Sequence, residues 1–337
     1  MISVKRGFSY WIVLGLLMVI GLGASAQSRT AITAYTGSPG GLYMEPFIVW
    51  SELWRELDPP VIASVIHGGS NSNPIAVSRA TPGAAVGVTT TILAHEAWNG
   101  IGEYADISPE GIRELRALWR FNVLSYGHVL FRDNVLPSGV ATLGDLLKAN
   151  VRLRFDVKER GSGAEAAANR LFESYGLSYQ DLQKMGWNLT FSAPSDATSL
   201  MIDGHLDGMF NVARVPASVV LDLEASVPGL VWLPIDQENL QYLYEKHGYL
   251  IEDHPDSYSS IDAPFPTLAY DHVVFVHEGM SEELAYRLTK AVLENPEVVH
   301  NAVPAMKPFD PQVAGTNTII PLHPGAERAY KELGFLD

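Results

Sequence analysis

Hydrophobic positions along this chain fall into two alternating kinds of segment. Apolar runs at Ala31–Ala34, Val61–Ile66, Ala84–Val88 and Val151–Phe155 have the length of strands. Residues 43–57, 142–149, 163–175 and 281–294 instead carry apolar side chains three and four apart, as helices do. In the last of these, Leu284, Leu288 and Val292 fall on one stripe. The alternation predicts an α/β fold of mostly parallel sheets flanked by helices. Two longer runs, Val123–Phe131 and Leu268–Val276, read as extended strands. The stretch between them, about 135 residues, is large enough to be a lobe inserted into a discontinuous first one. The expected layout is lobe I over 27–127 and 270–337, lobe II over 128–269, two crossover strands, and a cleft where small molecules are favoured.

The first 26 residues change the compartment. Lys5 and Arg6, an apolar stretch from Tyr10 to Gly23 and the exit Ala24-Ser25-Ala26 form a secretory signal, with Gln27 as the first mature residue. The apolar stretch is short for a spanning helix, which needs roughly 20 residues. The expected location is the periplasm. Without the leader the chain keeps 21 basic residues against 38 acidic, a formal charge of −17, which disfavours nucleic acid and anionic membranes as partners. The absence of cysteine removes disulfides, thiolate nucleophiles and thiolate metal sites.

Candidate chemistry lies in the loops. In T-G-S-P-G-G-L-Y, residues 36–43, Ser38 before Pro39 is a helix-start pattern, and Gly40-Gly41 would leave backbone donors bare for an anion. Its spacing fits neither a phosphate loop nor a nucleophile elbow. Ser162, three residues before Glu165, forms a capping-box pattern that leaves Ser162 and Gly163 free to contact a ligand as well. Gly68–Ser72 follows a strand, with Asn73-Pro74 as a helix start, and Thr89-Thr90-Thr91 presents hydroxyls that either cap a helix or face the ligand edge. His67, His95 and His128 are scattered, Asp203 and Asp207 lack any local means of splitting their pKa values, and no cofactor or metal motif is present.

Six motifs in order, T-G-S-P-G-G-x-Y, G-G-S-N, E-A-W-N-G at 96–100, G-S-G-A-E at 161–165, L-P-I-D at 233–236 and P-L-H-P-G-A at 321–326, resemble the TAXI family. Its members are solute-binding proteins of tripartite ATP-independent periplasmic (TRAP) transporters. The resemblance spans residues 30 to 335. It implies a type II-like, two-lobed Venus flytrap that closes on a small organic anion such as glutamate, 2-oxoglutarate or a related carboxylate. A monomer would deliver the ligand to the small and large TRAP membrane subunits. It further implies ligand contacts from Ser38, Gly40, Gly41 and Tyr43, then Ser70, Asn71 and Thr90, and from the second lobe Ser162, Gly163 and Ala164. Ala164 stands where many relatives have Thr. The stretch 208–216 departs further, with Asn211 and Arg214 near a strand end, and Arg214 is either a carboxylate clamp or a solvent-facing residue. Two other readings are a sensor subunit presenting its ligand to a membrane kinase, and an exported hydrolase using Ser38 or Ser162.

Overall fold

The computed structural model describes residues 29–39 and 42–337; the secretory signal expected at 1–26 lies outside them. Strands β1 (Thr30–Tyr35), β2 (Val61–Ile66), β3 (Ala85–Thr90) and β4 (Leu115–Arg120) open a first sheet. The chain then crosses to a second sheet built from β5 (Ser125–Arg132), β6 (Arg154–Asp156), β7 (Asn188–Thr190), β8 (Gly208–Ala213), β9 (Leu230–Trp232), β10 (Leu250–Asp253) and β11 (Pro266–Tyr270). It returns through β12 (His272–His277) to complete the first, in the order β2-β1-β3-β12-β4. The second sheet runs β10-β11-β5-β8-β6-β7, with β9 also on β5.

Both sheets are mixed where mostly parallel ones were expected. β1 is parallel to β2 and β3, but β12 is antiparallel to β3 and β4; β5 is antiparallel to β8, β9 and β11. The reversed strands are those on which the chain enters from the other sheet. The run Leu268–Val276 is accordingly two strands, broken at Asp271, whose carboxylate accepts from Arg120 Nη1 at 2.6 Å and from the His272 backbone N–H at 2.6 Å.

Helices cover both faces of each sheet, which is why β3 and β8 are buried along their whole length. One face of the first sheet packs Phe47, Trp50 and Trp54 of the Met44–Arg55 helix against Trp119, Phe121 and the Glu282–Glu294 helix. Its other face packs Val77 and Leu93 against Phe275. In the second sheet Phe131, Phe155 and Phe172 fill one face, and Met209, Val220 and Trp232 the other. No helix among the described residues is long and apolar enough to cross a membrane.

Candidate functional site

A cavity of about 420 Å³ lies between the two sheets, where the loops after β1, β2, β6 and β8 converge. This is the strand-end edge at which open α/β sheets place ligands. Ser38, Tyr43, Ser70, Ser162, Gly163, Ala164, Asn211 and Arg214 line it. Gly40 and Gly41 lie outside the described residues. Asn71 and Thr90 do not line it. The Asn71 amide reaches Glu103 at 3.5 Å, and the Thr90 hydroxyl accepts from Leu93 N–H as the cap of the Thr91–Asn99 helix.

Ser38 is not a helix cap. The first helix starts at Met44, and Pro46 rather than Pro39 occupies its first turn, where a missing N–H is unpaired in any case. The start is set by Tyr43, whose buried hydroxyl meets His272 Nδ1 at 3.0 Å and Ser70 Oγ at 3.3 Å. Upstream, the Thr36 backbone N–H and hydroxyl both donate to Ile66 O, at 3.1 and 2.8 Å, holding the loop extended beside the end of β2. Asn73 is likewise no cap. The helix begins at Ser72, and the buried Asn73 amide donates to Tyr35 O, Thr36 O and Val88 O while accepting from Gly69 N–H. One side chain thereby fixes the ends of β1 and β3 to the Gly68–Ser72 loop.

Across the cavity, Ser162 does cap its helix, accepting from Glu165 N–H at 3.1 Å. Glu165 closes the box one residue early, accepting from Gly161 N–H at 3.4 Å, and its half-buried carboxyl is pushed up by desolvation. The two Gly-Ser loops touch: Asn71 N–H donates to Gly161 O at 3.1 Å. A Cβ on Gly69 would lie 2.8 Å from Gly161 O, and one on Gly163 would lie 2.6 Å from the Thr90 methyl. Gly163→Ala is therefore expected to hold the loops apart and to weaken ligand capture by about 1–3 kcal/mol, the usual cost of overpacking. Titration calorimetry beside the unchanged protein measures this, and equal affinities would show that the contact is not needed for capture.

Two cations sit in the cavity wall. Arg214 is only 4% exposed; its Nη1 donates to Leu42 O from the other half, and its Nε has no partner among the described residues. Burial pulls its pKa down to about 10, against the pull of Glu45, so it is charged at neutral pH. Lys158, 2% exposed, directly precedes the Glu159–Gly163 loop, and its Nζ also has no partner among the described residues. Burial pushes it down to about 8, opposed by Asp156, Glu159 and Asp196. Sequence reasoning passed over Lys158, although a lysine two residues past a strand end and three before G-S-G stood as a signal. It also treated Glu96 only as part of a motif. That buried carboxylate accepts from Arg170 Nη2 with both oxygens at 2.8 Å, bridging helices of the two halves.

Residues 35–334 match the model of the NMT1-like family. The chain belongs to that family. This NMT1-like protein also has the fold of periplasmic binding proteins of known structure. BugD superposes with a TM-score of 0.52 at 12% identity, over 90% of this chain and 95% of its own. MatC from Rhodopseudomonas palustris with bound malate gives 0.53 at 14%, over 91% and 97%. PhnD1 from Prochlorococcus marinus in complex with methylphosphonate gives 0.53 at 11%, over 91% and 99%.

Proposed function

We propose that this NMT1-like protein is a periplasmic solute-binding protein that closes its two halves, as lobes meeting at residues 121–124 and 271, on a small organic carboxylate. The finer assignment is to the TAXI type: a monomer that takes glutamate, 2-oxoglutarate or a related acid and passes it to TRAP membrane subunits for uptake driven by an ion gradient. The observation that carries the reading is Arg214, a buried guanidinium in the wall of a cavity of about 420 Å³, with a donor left unpaired among the described residues. A charged group held from water without a full set of partners is unfavourable, and an anion entering the cavity removes that penalty.

The hydrolase reading through Ser162 finds no support in the geometry. The Ser162 hydroxyl is engaged as a cap, and the Ser125–His272 hydrogen bond, at 2.6 Å, is fully buried with the other ring nitrogen taken by Tyr43. A thermal-shift screen of organic acids and amino acids on the purified protein tests the proposal, since a ligand that binds only the folded state raises its melting temperature. No shift with any carboxylate, together with a clear one from sugars, would sink it. Ser162→Ala is expected to weaken binding of the best acid by about 1–2 kcal/mol through loss of a hydroxyl contact to a charged oxygen. Unchanged affinity with lowered stability would leave Ser162 as a cap alone.

A further inference from the structure

We propose that the ligand carries two separate anionic groups and that Lys158 receives the one away from Arg214, an assignment that rests on the carboxylate-binding reading above. Lys158 lines the cavity while its Nζ, out of water, meets no hydrogen-bond partner among the described residues. The carboxylates around it are bonded elsewhere or exposed. Asp156 accepts from the Lys158 backbone N–H at 2.9 Å, from Thr190 Oγ1 at 2.7 Å and from Ser192 N–H at 3.0 Å. Glu159 pairs with His67 at 3.2 Å, and Asp196 is exposed on the surface of its helix. All three favour the charged ammonium, but none bonds it. A buried ammonium in a cavity wall with three unused donors is a site for an anion that the protein itself does not supply.

The two cations occupy different parts of the wall. Asp156 of β6 stands opposite Met209 of β8 in the parallel register, so Lys158, two residues on, comes near the level of Asn211, whereas Arg214 lies three residues beyond Asn211, just past the end of β8, where its Nη1 reaches Leu42 O. A single compact group such as a phosphonate would need them side by side. A chain with an anion at each end fits charges that are apart, and Asn211 belongs to the Lys158 end.

Calorimetric titration of the purified protein with succinate, glutarate and adipate against butyrate, pentanoate and hexanoate, with methylphosphonate as a further arm, tests the assignment. At least one diacid is expected to bind about 100-fold more tightly than the monoacid of equal carbon number, as for a buried charge pair made or left open. Lys158→Met should remove that advantage, lowering diacid affinity far more than monoacid affinity, and Lys158→Arg should keep most of it; circular dichroism checks that both variants fold. Monoacids or methylphosphonate binding as tightly as the best diacid, or a diacid indifferent to Lys158→Met, would overturn the assignment while leaving a carboxylate-binding protein. If neither acid series, nor glutamate or 2-oxoglutarate, binds the unaltered protein, both readings fail together.

Discussion

Arg170→Met is expected to lower the free energy of unfolding by about 3–5 kcal/mol, the cost of stranding a buried charge. Arg170 is 4% exposed and Glu96 6%, and Arg170 Nη2 donates to both Glu96 oxygens, with the Tyr249 hydroxyl 3.3 Å from Arg170 Nη1 and Glu103 at 3.8 Å from Nη2. Glu96 would be left facing methionine with neither water nor a cation. The double variant Glu96→Leu with Arg170→Met should recover most of the loss, because a buried pair replaced by apolar groups of similar size is often close to neutral. Denaturant unfolding of the single and double variants measures both. A single-variant loss below about 1 kcal/mol, the range of exposed pairs, would mean that water reaches the site. The pair joins the Thr91–Asn99 and Gly163–Ser174 helices, which belong to different sheets, so the same substitution is expected to loosen the two halves relative to each other.

Where the sequence carried local chemistry, the elements were legible. Val61–Ile66 is the strand read from its apolar run, and the helices expected at 163–175 and 281–294 run Gly163–Ser174 and Glu282–Glu294, behind the caps Ser162 and Ser281. Ser38-Pro39 carries the same local signal without a helix behind it, because Tyr43 and its buried partners, all distant in sequence, decide where that helix begins. Strand direction was hidden for a related reason: β5 and β12 are reversed by the path of the chain between sheets, which no local pattern records. In the cavity, the two Gly-Ser loops were legible as helix starts or strand ends. Asn71 sits in one of those loops and Thr90 ends β3, and both still turn away, since a one-residue step at such a turn decides which side chain faces the cavity. Lys158 escaped notice because a lysine reads as solvated until burial is known.

The choice left open for Arg214, clamp or solvent-facing residue, is narrowed by its burial, and Arg214→Met separates a ligand role from a structural one. Binding of the best carboxylate should fall by about 2–5 kcal/mol, the range for truncating one partner of a buried charge pair. If Arg214 served the fold alone, the empty protein should lose stability. If it waits for an anion, the empty protein should keep or gain stability, because the substitution removes a buried cation whose one hydrogen bond among the described residues is to the Leu42 carbonyl. The Leu42 contact complicates this, since it ties the two halves together even without ligand. Small-angle scattering of the empty variant resolves it: a more open protein reports loss of the tie, and unchanged dimensions with lost affinity place the effect on the ligand. Arg214→Lys is the sharper control. It keeps the charge but not the planar fork, so a bidentate carboxylate contact predicts that lysine recovers only part of the lost affinity. Full recovery would show that Arg214 supplies charge without geometry, and equal binding by all three proteins would remove it from the site.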